Sequence, residues 1–156
     1  MQLQEGVFPV HEEDFPSMVE VWEASVRETH HFITEENIQF FKPLVRDALP
    51  HMPTLACARD DAGQVVGFIG VDGEKIEMLF IHPRWRGQGI GRRLVSYAVT
   101  SLGATLVDVN EQNEQAVGFY QRMGFETAGR SPLDSTGKPF PLLHMRIQQL
   151  DVESSS

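Results

Sequence analysis

The sequence predicts an α/β fold built on a mixed, mostly antiparallel sheet, and three observations predict it. Three strand-like runs follow one another, Thr54 to Arg59, Gln64 to Val71 and Lys75 to Ile81. Turn chemistry separates them at Asp60-Asp61-Ala62-Gly63 and at Asp72-Gly73, which is the pattern of an antiparallel meander. The third run leads through a glycine-rich loop into a helical apolar face and then another strand, Thr105 to Val109. A strand-helix-strand link of this length is a right-handed crossover, which makes Thr105 to Val109 parallel to Lys75 to Ile81.

The remaining elements follow in chain order. Gly6 to Val10 starts a first strand, and Glu12-Glu13-Asp14 put negative charge where a helix dipole favours it. Met18, Val19, Trp22 and Val26 recur at helical spacing, so helix one runs from Glu12 to Glu28. After Thr29-His30-His31-Phe32, the box Thr34-Glu35-Glu36-Asn37 opens a second helix that Pro50 ends and Pro43 kinks or splits. Beyond the meander, Leu94, Val95, Ala98, Val99 and Leu102 give the apolar face of a helix from Gly91 to Leu102, closed by Gly103. Another helix covers Glu114 to Met123 and stops at Gly124. Strands Phe125 to Arg130 and Leu142 to Ile147 follow, joined by the turn-rich loop Ser131 to Lys138. No repeat or linker interrupts the pattern, so residues 1–150 read as a single domain and residues 151–156 as a polar, disordered tail.

Composition narrows the function. A net charge of -9 over 156 residues argues against general affinity for nucleic acid or an anionic membrane, and it suits a cationic or amine-bearing partner. Met1 to Val10 lacks the basic region and apolar core of an export signal, and no apolar run approaches a bilayer span, so a cytoplasmic protein is expected. The single cysteine, Cys57, lies in a strand-like run and reads as a small buried hydrophobe. The adjacent His30 and His31 have no spaced third and fourth partners, so no metal is expected. Monomer and homodimer both remain open, since a sheet edge near the C-terminus could pair with a second copy.

The stretch Arg86-Gly87-Gln88-Gly89-Ile90-Gly91 carries the chemistry. Glycines at alternate positions let the backbone approach a ligand closely, and free N–H groups at a helix start favour an anion. Arg84, Arg86, Arg92 and Arg93 place four of the thirteen Lys and Arg residues within this short region. The loop is not a P-loop, because no Lys-Ser or Lys-Thr follows its last glycine. It also departs from the dinucleotide fingerprint: its spacing is G-x-G-x-G, and His82-Pro83-Arg84-Trp85 separates it from the strand. Asp108 stands where that fingerprint would want a ribose-binding acid, and a glycine-rich turn without any ligand is a further reading.

One arrangement is more specific. The order of strand, His82-Pro83, Arg86-x-x-Gly89-x-Gly91, helix, strand, then Asn113-x-x-Ala116-x-x-Phe119-Tyr120-x-x-x-Gly124-Phe125 resembles the GNAT superfamily of acetyl-CoA-dependent N-acetyltransferases. Thr29-His30-x-Phe32 and Gly137-Lys138-Pro139-x-Pro141-Leu142-Leu143 further resemble small stand-alone bacterial members of the YjaB type. The resemblance implies a central sheet of about seven strands flanked by about four helices and splayed between the fourth and fifth strands. It implies that the pyrophosphate of coenzyme A lies on the amides of Gln88, Gly89, Ile90 and Gly91, with Arg86, Gly87 and Arg92 around the loop. The pantetheine arm then pairs with the backbone of Leu79, Phe80 and Ile81, and a main-chain N–H near Phe80 or Ile81 steadies the thioester oxyanion.

Side chains divide by role. Asn113 matches a cofactor-holding position of the family and is equally an N-cap before Glu114. Tyr120 is the candidate general acid for the leaving thiolate, since a phenol carries its proton at neutral pH; the plain alternative is a core aromatic beside Phe119. Glu77 shares a strand face with Leu79 and is a candidate base, or else a solvated residue beside Lys75. His30, His31 and Phe32 lie in the segment expected to form part of the acceptor wall, where a histidine can take a proton near neutral pH. The implied activity is direct acetyl transfer to a primary amine in a ternary complex. A non-catalytic acyl-CoA sensor is the alternative.

Overall fold

The expected meander forms as read in the computed structural model, which describes residues 2–29 and 33–147. β2 (Thr54–Arg59), β3 (Val65–Asp72) and β4 (Lys75–Ile81) pair antiparallel, and the short β1 (Phe8–Pro9) adds to β2 through Phe8 opposite Cys57. Asp72 lies opposite Lys75, so Gly73 and Glu74 make the turn. Two glycines in β3 answer a packing need. A Cβ on Gly67 would lie 2.8 Å from Ile81 Cδ1 and 3.2 Å from Ile90 Cγ2, so the bare backbone admits both side chains. One on Gly70 would crowd Met52 and Leu55.

The chain falls into two compact units, Met1–Ala104 and Thr105–Ser156. In the first, β3 is buried from Val65 to Val71, as expected of a strand covered on both faces. α1 (Phe15–Thr29) and α2 (Glu35–Ala48) bring Met18, Trp22, Val26 and Ile38 into one apolar cluster with Cys57 and Phe68. Met78 and Phe80 pack against that cluster, whereas α3 (Ile90–Leu102) buries Leu94, Val95 and Ala98. Cys57 is fully buried as expected, and burial pushes its thiol up to about 11.

Two details differ from the expectation. Helix one begins as a 3-10 turn, Glu12–Asp14, before α1. The Asp14 carboxylate accepts the His11 N–H at 2.8 Å and two Arg59 N–H groups at 2.7 and 3.1 Å, and this anchor tightens the first turn. Pro43 does not split α2, which runs unbroken to Ala48. The carbonyl that Pro43 leaves without a helical donor belongs to Gln39, an exposed residue that water can serve.

The second unit is a three-stranded antiparallel sheet in the order β5 (Leu106–Asn110), β7 (Leu142–Ile147), β6 (Phe125–Ser131). α4 (Glu114–Arg122) packs on one face, where Val107, Val109, Met145, Phe125 and Tyr120 are buried. The loop from β6 to β7 is tied by Asp134, whose carboxylate accepts the N–H groups of Thr136 and Lys138, each at 2.9 Å. The tail expected over residues 151–156 lies outside the described residues.

Candidate active site

In the first unit, β4 runs into a 3-10 turn, Pro83–Trp85, whose start is fixed by the Arg84 N–H donating to His82 Nδ1 at 3.2 Å. The chain then turns through Gly87 and Gly89, at φ 76° and 80°, into α3. Side chains rarely adopt that left-handed backbone, so the loop requires glycine at both positions. Gly89 offers no side-chain cap, and the first rung of the helix ladder is Arg93 N–H to Gly89 O at 3.0 Å. The amides of Ile90, Gly91 and Arg92 are therefore the helix's orphan donors, and among the described residues those of Gly87, Gln88 and Gly89 have no acceptor either.

Space lies above this row. A Cβ built on Gly87 or Gly89 would meet no atom within 4 Å. Gln88 and Arg92 are exposed, and Arg86 is half-buried beside the turn. Arg93 turns away from the loop, and its guanidinium lies over the N-terminal turn, so close that a Cβ on Gly6 would sit 2.6 Å from Nη1. The loop thus presents a row of amide donors that the protein's own acceptors leave open. Such a row accepts a phosphate or diphosphate, with the helix dipole adding to the attraction.

β4 presents Leu79, Phe80 and Ile81, all half-buried, ahead of this loop. Val71 pairs with Ile76 and Gly70 with Met78, so Glu77 is the extra residue of a bulge. Glu77 is exposed, with its carboxylate 4.0 Å from Lys75 Nζ. His30, His31 and Phe32 lie outside the described residues.

The second unit carries the other two candidates. Asn113 Oδ1 accepts the Ala116 N–H at 3.1 Å and so caps α4. Tyr120 is 5% exposed, with its ring set edge-on to Phe119 and Phe125 at centroid distances of 5.1 and 5.4 Å. Its hydroxyl has no hydrogen-bond partner among the described residues. Burial of the ring pushes the phenol above its ordinary value, which keeps the proton on it through neutral pH. Asp108, the acid a dinucleotide reading would give to a ribose, instead bonds His144 Nδ1 at 2.7 Å.

Residues 20–148 match the model of the acetyltransferase (GNAT) domain. The chain belongs to the GNAT family. It is therefore an acyltransferase, and the GNAT fold expected from the motifs is the one it has. The peptidyl-lysine N-acetyltransferase YjaB of Salmonella typhimurium is 45% identical to it over 135 residues, which are 86% of this chain and 92% of that protein. The Escherichia coli protein of the same name is 44% identical over 135 residues, 86% of this chain and 90% of its own. The solution structure of apo YjaB from Escherichia coli superposes with a TM-score of 0.83 at 41% identity, covering 90% of this chain and 95% of that one. The PaiA N-acetyltransferase of Thermoplasma acidophilum, solved in complex with coenzyme A, has a TM-score of 0.69 at 20% identity over 91% of this chain and 97% of its own, and shares the GNAT fold.

Proposed function

We propose that this GNAT chain transfers an acetyl group from acetyl-CoA to a primary amine, with the side chain of a peptidyl lysine as acceptor, by direct attack in a ternary complex. The observation that carries the proposal is the open row of amides at the start of α3, which suits a diphosphate. The acceptor class rests on the names of the YjaB relatives, which are peptidyl-lysine N-acetyltransferases. The negative net charge suits a cationic side chain. A chain in which no described helix is long and apolar enough to cross a membrane is consistent with work in the cytoplasm.

In this reading the N–H groups of Gly87 to Arg92 bind the diphosphate, helped by the charges of Arg86 and Arg92. Leu79, Phe80 and Ile81 offer main-chain groups to the amide-bearing arm, and one N–H among them donates to the thioester oxygen as negative charge develops there. A donor of this kind is commonly worth about 3 kcal/mol in the transition state. Asn113, already the cap of α4, adds a polar contact to the cofactor. Tyr120 gives its phenolic proton to the departing thiolate. Glu77, on the strand that meets the thioester, is a candidate to take a proton from the acceptor, and His30, His31 and Phe32 help wall the acceptor.

The test is thiol release from acetyl-CoA with lysine-bearing peptides. Tyr120→Phe should keep acetyl-CoA affinity and lower kcat about a hundredfold, the scale expected for loss of a proton donor. An unchanged kcat would remove Tyr120 from the mechanism. Acetyl-CoA binding with no turnover on any amine would favour the sensor reading.

A further inference from the structure

On the face of the second unit opposite α4, three side chains form a hydrogen-bonded chain across three strands. Asp108 of β5 faces His144 of β7 directly, with Oδ1 2.7 Å from Nδ1. The other ring nitrogen, Nε2, lies 2.6 Å from Ser131 Oγ of β6. A bulge in β6 between Thr127 and Gly129 brings Gly129 opposite His144, where no side chain competes for the ring; even a Cβ there would only reach 3.6 Å from its Cδ2. We infer that Ser131, His144 and Asp108 form a proton relay that deprotonates the acceptor ammonium. The inference rests on the acetyl-transfer reading and adds the step that generates the nucleophile.

The chemistry follows from the bonding order. A carboxylate at Nδ1 fixes the tautomer with the proton on that nitrogen, leaving Nε2 with a lone pair toward the serine hydroxyl. The ammonium passes a proton to Ser131 Oγ as the serine's own proton moves to Nε2, and Asp108 stabilises the imidazolium. The freed amine then forms its C–N bond to the thioester carbon as the C–S bond breaks. Nitrogen loses two protons in all. One ends on the thiol by way of Tyr120, and the other leaves to water from His144, whose side chain is 41% exposed.

Strand geometry supports this division of labour. Val107 and Val109 of β5 face α4, the helix that carries Tyr120, while Asp108 between them projects to the other face. Tyr120 and the Asp108–His144–Ser131 chain thus lie on different faces of this sheet, so the proton given to the departing thiolate and the proton taken from the attacking ammonium are handled by separate groups. Glu77, by contrast, is exposed, and among the described residues it has only Lys75 at 4.0 Å to orient it. The charged neighbours sharing the His144 face are Asp108 on β5, Arg146 on β7 and Glu126 on β6, with Arg146 opposite Glu126.

The experiment is kcat/KM against pH for wild type, His144→Gln and Asp108→Asn, with acetyl-CoA and lysine-bearing peptides, alongside thermal melts and acetyl-CoA titration by calorimetry. His144→Gln should lower kcat/KM about a hundredfold at neutral pH while leaving acetyl-CoA affinity intact, and Asp108→Asn should lower it about tenfold or more. Imidazole added to His144→Gly should restore part of the rate, which a purely structural cross-strand contact would not allow. A folded His144→Gln variant with wild-type kcat/KM, or a loss confined to Glu77→Gln, would overturn the relay. If His144→Gln does not fold, the pH profile of Asp108→Asn decides, and a profile identical to wild type overturns it. Wild-type protein that transfers acetyl to no amine would overturn the acetyl-transfer reading first and the relay with it.

Discussion

The starts of α2 and α3 solve the same problem in opposite ways. Every helix begins with backbone donors that lack a partner inside the helix. At α2 the chain satisfies two of them itself: Thr34 Oγ1 accepts the Asn37 N–H at 3.1 Å, and the Asn37 side chain reaches back to the Thr34 N–H at 3.3 Å. Glu35 and Glu36 complete the first turn with negative charge, so the dipole is answered from within. At α3 the corresponding residue is Gly89, with no side chain to offer and no acidic residue in the turn that follows. Arginines stand there instead. The first arrangement stabilises a fold; the second leaves its donors open, as the proposed binding of a diphosphate requires.

Closing the open start gives the largest expected effect. Gly89→Asp puts a carboxylate into the space above the loop, where a built Cβ meets nothing within 4 Å. Acetyl-CoA affinity should fall about a hundredfold, because charge-assisted contacts are worth about 1.5–3 kcal/mol each and like charge replaces them. Stability should fall by only ~1 kcal/mol, the cost of a non-glycine residue at φ 80°. Calorimetric titration beside thermal melts measures both, and an unchanged affinity would show that the α3 start serves packing alone.

The start of helix one sharpens the contrast through pH. There the Asp14 carboxylate accepts the His11 N–H and is clamped by Arg59, with side-chain exposures of 14% and 16% for the pair. The Arg59 hydrogen bond is the main cause holding the Asp14 carboxyl below its ordinary value. A depressed folded-state value contributes stability that is present above the unfolded value, near pH 4, and is lost as pH falls through the folded one. Asp14→Asn should therefore cost about 1–2 kcal/mol near neutral pH. The gap to wild type should narrow progressively in melts taken below pH 4, while acetyl-CoA binding at neutral pH stays as it was. A pH-independent gap would mean that the carboxylate's charge plays no part in closing this turn.

These three helix starts also show what a sequence discloses. The Thr34 box and the alternate glycines are local signals, and they stand out because cap and ligand loop are each written within six residues. The ends of β2, β4 and β7 are legible for the same reason, being set by turn residues beside them. The Arg59 clamp is not, because it comes from 45 positions away and only the pairing of β2 brings it to Asp14. Alternation along β4 assumes unbroken pairing, so the bulge that makes Glu77 an extra residue leaves no trace in the pattern. His144 and Asp108 are 36 positions apart, and nothing local joins a lone histidine in one strand run to an aspartate in another. Tyr120 and Asn113 are proposed for the site through the motif around them; spacing alone does not separate a proton donor from a core aromatic or a cofactor contact from a cap.

Breaking the closed start gives the smallest effect, and its value lies in what should stay constant. Thr34→Ala removes the acceptor for the Asn37 N–H and also the hydroxyl that Asn37 Oδ1 bonds at 3.0 Å. The cost should be ~1 kcal/mol, as for other lost N-caps. Arg27 pairs with Glu35 through bonds of 2.6 and 2.9 Å, so a second tie holds the first turn of α2 to α1 and limits the fraying. That tie is exposed and weak on its own, which makes the loss measurable by denaturant melts. Acetyl-CoA affinity should not move at all, because the donors exposed by losing this cap belong to a helix start that carries no glycine loop and is flanked by Glu35 and Glu36. A fall in affinity that tracks the fall in stability would show that the two helix starts are coupled through the fold, and the distinction between a cap that stabilises and a start that binds would no longer hold.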